Sequence, residues 1–362
     1  MARKKSPIRQ LLSPTRIMIP IGIGLAVVAY VLLNEFDIEK FRQISWTGYS
    51  TFWFVIALLM VATRDLGYMY RIRHLTDKKI SWRNSFDVIM LWEFASAITP
   101  SVVGGSGVAI FIVNREGVSM GKSTAVVMIT AFLDELFYVV TVPVIILIVG
   151  FEHLFPLALQ KSIFGIDLGV RELFFVGYGF IVVLISVIFY AIFIDPGKFK
   201  NLLTTVFRLP FLRKWRTSAA ETGDEIIVTS KELKGKPRSF WLKAFGATLF
   251  SWTARFWIVN FLILSFSAAV ISGGDHFLIY ARQLVMWVIL LISPTPGGTG
   301  VAEFAFSGFL EDFIVPSGIA VSLALLWRLL SYYPYLVMGV IILPRWIRRV
   351  YLKRKLISFK RG

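Results

Sequence analysis

Nine charged residues lie within or at the edge of apolar segments of this sequence. They are Arg64, Asp65, Glu93, Asp134, Glu135, Arg255, Arg282, Glu303 and Arg328. A charged side chain at the centre of a bilayer costs at least ~2.5 kcal/mol unless it is paired or hydrated. So many of them in one apolar chain predict a polar path through its interior.

Arginine in such a path suits phosphate, because its planar fork donates to two oxygens at once. The carboxylates could neutralise the arginines, carry protons or bind an amine. The alternative is a set of buried structural ion pairs, for example Asp134 or Glu135 with Arg255 or Arg328. Snorkelling to a membrane interface is at least as good an explanation for Arg64 and Asp65.

A motif of proline and glycine occurs twice and interrupts an apolar stretch each time. Residues 98–109 read ITPSVVGGSGVA, and residues 292–302 read ISPTPGGTGVA. A duplicated break of this kind is typical of a transporter's binding site, where helix N-termini attract anions. The alternative is that the glycines only permit tight helix packing. The predicted tips consist of Pro100, Gly104, Gly105, Ser106 and Gly107 in the first copy, and of Pro294, Pro296, Gly297, Gly298, Thr299 and Gly300 in the second.

Composition places the chain in a membrane. Of its 362 residues 56% are hydrophobic, and the mean hydropathy is +0.71. The net charge of +17 comes from loops between apolar segments, so the positive-inside rule explains it better than nucleic-acid binding. The absence of cysteine excludes disulfides and thiolate metal sites. The three histidines have no ligand spacing, and neither a metal nor another cofactor is expected.

Charge also predicts the orientation of the spans. Basic residues concentrate in 71–83, where Arg71 is counted among the loop charges, in the loop 195–239 and in the tail 344–362. These segments and the basic N-terminus are predicted to be cytoplasmic. Aromatic residues near span ends are predicted to form interface belts. They are Trp46, Tyr49, Trp53, Tyr332, Tyr333, Tyr335 and Trp346. Full spans are predicted near 16–33, 50–70, 122–149, 173–194, 240–270 and 317–343.

The two motifs lie in segments 84–114 and 278–313, which must each return to the side from which they enter. Neither arm of these segments is expected to cross; residues 301–311, for example, rise only ~16 Å as a helix, against a ~30 Å hydrocarbon core. We therefore predict two re-entrant hairpins within an inverted repeat of 50–149 and 240–343. The fold class is an all-α integral membrane protein with about six full spans plus these hairpins. The alternative is eight spans with kinked helices.

The segment 294–303, PTPGGTGVAE, resembles the signature of the transmembrane, flippase-like region of bacterial lysylphosphatidylglycerol synthases. The stretch from Gly104 through 116–119 to 133–135 resembles the first half of that region, so the resemblance covers nearly the whole chain. It implies a region that flips an aminoacylated anionic lipid, which a separate soluble domain makes in two-domain members. Because the sequence ends at Gly362, that aminoacyltransferase domain and its activity are not expected here.

These observations predict a lipid flippase or lipid-linked transporter of the bacterial cytoplasmic membrane, acting on an anionic or aminoacylated phospholipid. Arg255, Arg282 and Arg328 would bind phosphate, while Glu93, Asp134, Glu135 and Glu303 would balance charge or bind an amine. One alternative is a proton-coupled transporter of a small anion. Another is a non-transporting partner of a lipid-modifying enzyme. No nucleophile–base pair is recognisable, so an enzyme is not expected, and the oligomeric state is left open.

Overall fold

The computed structural model describes residues 46–99, 102–156, 169–210, 213, 216–291 and 301–359. All regular secondary structure within these ranges is helical, which confirms the predicted all-α class. Three predicted features lie outside the described residues: the span 16–33, residues 100 and 101 of the first motif, and residues 292–300 of the second.

Four helices form the first half of the described chain. They are α1 (Gly48–Leu75), α2 (Trp82–Ile98), α3 (Val102–Arg115) and α4 (Met120–Val149). Side-chain caps define three of their starts: Thr47, Ser81 and Ser119 each accept a hydrogen bond from a backbone N–H three residues later. Such caps satisfy N–H groups that a helix start leaves without partners.

The remaining helices are a long apolar helix, two helices on the surface, and the helices of the second half of the chain. They are α5 (Val170–Phe189, continued by a π-helical turn over Tyr190–Ile194), α6 (Pro196–Val206), α7 (Arg216–Lys234), α8 (Arg238–Phe266), α9 (Gly273–Leu291), α10 (Val301–Leu310), α11 (Ala320–Ser331) and α12 (Tyr333–Phe359). The break between α11 and α12 falls at Tyr332. Pro334 has no N–H to donate to the Leu330 carbonyl, as a continuous helix would require, whereas proline is tolerated in the first turn of the new helix.

Six helical segments among the described residues are long and apolar enough to cross a membrane. Five of them coincide with predicted spans. The sixth is α9, the first arm of the predicted second hairpin; its 19 residues rise ~28 Å. The expectation that no hairpin arm could cross is therefore wrong for α9, and the re-entrant topology of both segments stays a prediction.

The two halves of the described chain pack together mainly through α1 and α8. A Cβ at Gly67 of α1 would lie 2.2 Å from Ser251 Oγ of α8, and that hydroxyl donates to the Arg64 carbonyl at 3.1 Å. A second contact joins α2 to α12, where a Cβ at Gly339 would lie 2.1 Å from the ring of Phe94. These close approaches bring the charged faces of both halves into one interior.

The predicted basic loop 195–239 contains the helices α6 and α7. A cluster of ion pairs joins this segment to the first half: Lys122 Nζ lies 2.7 Å from both Asp77 Oδ2 and Glu232 Oε1, and Lys236 Nζ lies 2.7 Å from Asp77 Oδ1. Burial alone would raise the pKa of Asp77, but these two ammonium groups outweigh it and lower the pKa to about 2. Its carboxylate therefore stays charged across the physiological range. The cytoplasmic location of the loop stays a prediction.

Candidate functional site

A cavity of about 250 Å³ lies where the two halves meet. Helices α1 to α4 line it from the first half, and α8 to α11 together with the start of α12 line it from the second. Of the seven residues predicted to bind a headgroup, five line this cavity: Glu93, Asp134, Glu135, Arg255 and Arg328.

The other two predicted residues lie outside the cavity lining. Glu303 is paired with Arg328, whose Nε lies 2.8 Å from Glu303 Oε1. Arg282 is directed elsewhere: its Nε donates to the His153 carbonyl at 3.1 Å, and its Nη1 lies 2.7 Å from Asp312 Oδ2. Arg282 thus connects chain segments near the ends of helices.

Asp134 is held by Arg71, a cation that was predicted to lie in a loop. Arg71 is buried in α1 and donates to both carboxylate oxygens of Asp134, at 2.5 and 2.9 Å. The indole of Trp252 adds a third bond to Asp134, at 2.8 Å. Arg71 follows Arg64 by seven residues, two helical turns along the same face, and this spacing could have identified it.

Arg64 is a fully buried connector of three helices. Its Nη2 lies 2.7 Å from Glu93 Oε1 of α2, and its Nη1 donates to the Tyr335 hydroxyl of α12 at 3.0 Å. Tyr335 in turn donates to Asp65 at 3.0 Å. With 0% of its side chain exposed, Arg64 does not snorkel, so that alternative is wrong for this residue. Structural ion pairs do exist here, but with partners other than those considered from the sequence.

Arg255 differs from the other arginines that line the cavity. Its guanidinium carbon lies 4.1 Å from the ring centroid of Trp287 and 5.0 Å from that of Trp252. Among the described residues no carboxylate lies within 4.0 Å of it, and it makes no hydrogen bond. Two aromatic faces hold the cation, a favourable contact for guanidinium, while its N–H groups are left for another acceptor.

Three polar atoms of α4 are buried beside the cavity without a hydrogen-bond partner in the described chain. They are Thr130 Oγ1, Glu135 Oε2 and Tyr138 Oη, and all three residues line the cavity. An unsatisfied buried polar group costs ~1–3 kcal/mol, so native proteins usually complete such groups with water or ligand. The face of α4 that lines the cavity therefore offers hydrogen-bonding atoms to a water molecule or a polar ligand.

The glycines of the first motif lie in a helix, whereas an open hairpin tip was predicted for them. Because α3 begins at Val102, Gly104, Gly105, Ser106 and Gly107 lie in its first two turns. A Cβ at Gly105 would lie 2.0 Å from Ser96 Oγ and 2.9 Å from Ser96 Cα. This glycine allows α2 and α3 to approach closely, which is the packing alternative, whereas Ser106 lines the cavity.

The aromatic residues near the end of the chain are not an interface belt. Tyr332, Tyr333, Tyr335 and Trp346 are all buried, so that prediction is wrong for them. The Tyr332 hydroxyl donates to the Ala97 carbonyl at 3.0 Å, and Tyr332 and Tyr335 both line the cavity. Aromatic rings thus form much of its wall.

In the part of the chain that the structure describes, no group of three or more histidines and carboxylates could hold a metal ion.

Comparison with known proteins identifies the family of this chain. The family described as the lysylphosphatidylglycerol synthase transmembrane region matches residues 17–339. The chain belongs to this family. With its candidate spans, it is a multi-pass membrane protein.

Two archaeal relatives share most of its length. A UPF0104 membrane protein of Archaeoglobus fulgidus is 25% identical over 343 residues, which are 90% of this chain and 95% of the relative. A second UPF0104 membrane protein, from Methanocaldococcus jannaschii, is 23% identical over 331 residues, 88% of this chain and 90% of the relative. No solved structure matches the chain.

Proposed function

We propose that this protein translocates a phosphate-bearing lipid across a membrane and that Arg255 binds the phosphate. The observation that carries the proposal is the state of Arg255 in the shared cavity. The cavity arginines Arg71 and Arg328 each have a carboxylate partner, whereas Arg255 has none among the described residues. A guanidinium in this state matches a phosphate, which accepts two parallel hydrogen bonds from it.

The cavity size supports a headgroup as the bound portion. Pockets for drug-sized ligands measure ~300–1,000 Å³, and this cavity measures about 250 Å³. Such a volume accommodates a phosphate headgroup, while acyl chains would remain in the surrounding bilayer. Translocation would then require the two halves to rock against each other around the bound headgroup, as in transporters built from repeats.

The lipid identity and the membrane remain part of the proposal. An anionic or aminoacylated phospholipid is the cargo that agrees with the family description, and the cytoplasmic membrane is the expected location. The basic segments 71–83 and 195–239 and the basic tail support cytoplasmic N- and C-termini through the positive-inside rule. We propose transport without chemical conversion of the lipid.

The decisive experiment measures lipid movement in vesicles that contain the purified protein. Vesicles would carry fluorescent phosphatidylglycerol, and a membrane-impermeant quencher would report the fraction that changes leaflet. Arg255→Ala should abolish protein-dependent movement, and Arg255→Lys should retain only part of it, because an ammonium lacks the guanidinium fork. The matched control is Lys243→Ala, which removes an exposed cation from the same helix outside the cavity lining.

The same assay separates the rival functions. Uptake of radiolabelled phosphate into the vesicle lumen without lipid movement would identify a transporter of a small soluble anion. Neither lipid movement nor phosphate uptake, with a lipid-modifying enzyme copurifying, would identify a non-transporting partner. Unchanged lipid movement in Arg255→Ala would refute the assignment of Arg255.

A further inference from the structure

Glu135 is a buried carboxyl of the cavity that has no cation beside it in the described part of the chain. Only 6% of the residue is exposed, and its Oε2 has no hydrogen-bond partner in the described chain. The other acids of the cavity are neutralised: Glu93 by Arg64 at 2.7 Å and Asp134 by Arg71. No cation lies within 4.0 Å of Glu135 among the described residues. The role of Glu135 therefore differs from that of a structural ion-pair partner.

An ionised carboxylate in this position would have no cationic partner among the residues that the structure describes. Burial of a single charge is expensive unless it is paired, and a carboxyl can avoid that cost by taking up a proton. Carboxyl groups inside membrane segments serve as proton relays for this reason. A phosphate bound to Arg255 would add further negative charge to the same cavity. This charge would raise the affinity of Glu135 for a proton.

Two hydroxyls on the same helix could carry that proton. Thr130 and Tyr138 precede and follow Glu135 on α4, and their oxygen atoms are also buried, unpartnered and beside the cavity. A hydroxyl both donates and accepts, so it can pass a proton between a carboxyl and water in the cavity. The charged and titratable groups that line the cavity around Glu135 are Tyr68 and Arg71 of α1, Glu93 of α2, Asp134 and Tyr138 of α4, Arg255 of α8, Arg328 of α11, Tyr332 between α11 and α12, and Tyr335 of α12. The lining residues described from α3, α9 and α10 carry none.

We propose that Glu135 is a proton-binding site that loads when the anionic headgroup occupies Arg255, so that lipid movement is coupled to a proton. This coupling rests on the proposed translocation. The binding of each ligand favours the binding of the other by the same factor, because coupling between two sites is reciprocal. Charge balance gives the stoichiometry: one proton on Glu135 accompanies one phosphate on Arg255.

The first arm of the test examines the proton without any lipid movement. Infrared difference spectra of the purified protein in detergent at neutral pH, recorded with glycerol phosphate and without it, should contain the carbonyl stretch of a carboxylic acid that becomes protonated on binding. This band should disappear in Glu135→Gln, remain in the control Glu232→Gln, and shift on transfer to D₂O. Equal bands in wild type and Glu135→Gln would overturn the proton site. A band that does not shift in D₂O would overturn exchange through the cavity.

The second arm imposes a pH gradient on vesicles that contain fluorescent phosphatidylglycerol. The gradient should change the rate of lipid movement in wild type, and any movement left in Glu135→Gln should be independent of it. Lipid movement in wild type that ignores the gradient would overturn the coupling and leave the function of Arg255 intact. An exchanging infrared band together with no lipid movement would refute the proposed function and the coupling, and would leave Glu135 as a proton site.

Discussion

Removal of the Arg64 charge should destabilise the fold more than removal of both charges of its ion pair. The Arg64 side chain is 0% exposed, and Arg64→Met would leave Glu93 without the guanidinium that lies 2.7 Å away. Breaking a buried pair from one side costs ~3–5 kcal/mol, whereas replacing both members with neutral residues is often close to neutral. Because 25% of the Glu93 side chain is exposed, water offsets part of this cost, so we expect ~3 kcal/mol for the single variant. The double variant Arg64→Met/Glu93→Gln should recover most of it.

The measurement is a double-mutant cycle on the free energy of unfolding. Titration of the purified protein in mixed micelles with a denaturing detergent, followed by tryptophan fluorescence, gives this free energy for the wild type, both single variants and the double variant. Lys243→Met provides a surface control that should change it little. A double variant as unstable as Arg64→Met would refute the reasoning, because stranded charge would then not be the source of the loss.

Three further perturbations test other parts of the structure. Arg282→Ala should lower the free energy of unfolding by ~1–3 kcal/mol for each backbone carbonyl left unsatisfied, yet the folded protein should move lipid at the wild-type rate; a loss of movement in correctly folded protein would contradict its position outside the cavity. Since the pKa of Asp77 is lowered from 3.8 to about 2, its ion pairs stabilise the fold above pH 3.8, and this contribution disappears as the pH falls through about 2. Hydrogen exchange of α7 should therefore increase in wild type only under strong acid but already at neutral pH in Asp77→Asn, and equal exchange of both proteins at neutral pH would disprove this. Gly105→Val should lower the melting temperature because its Cβ would lie 2.9 Å from Ser96 Cα, whereas Gly107→Ala, with open space around it, should have a much smaller effect.

The sequence predicts the fold class and much of the cavity for a physical reason. Long apolar stretches can be recognised without tertiary information because the bilayer sets their length. The expense of intramembrane charge identified nine residues as a set, and the structure gathers five of them in one cavity: Glu93, Asp134, Glu135, Arg255 and Arg328. A charge inside a membrane segment must face the protein interior, so charges from several helices converge.

The partners of these charges could not be predicted in the same way. Arg71 stands where an apolar stretch ends and a basic loop begins, and both locations are consistent with its sequence context. Its assignment depends on α4, which supplies Asp134 from 63 positions away. The inward direction of Tyr332 likewise depends on the break between α11 and α12. Such details follow from how helices pack, and hydropathy and composition carry no information about packing.

The cavity acquires its chemistry from the charges that the fold leaves unpaired. The charged residues that line it in the described chain are three arginines, Arg71, Arg255 and Arg328, and three acids, Glu93, Asp134 and Glu135, so net charge alone predicts no preference for an anion. Within the described part of the chain most of these groups are paired, which leaves one cation, Arg255, and one acid, Glu135, for a ligand and a proton. The two lie on different halves of the chain, on α8 and α4. A motion of one half against the other would therefore change the distance between the proposed phosphate site and the proposed proton site, which is the geometric requirement for coupling them.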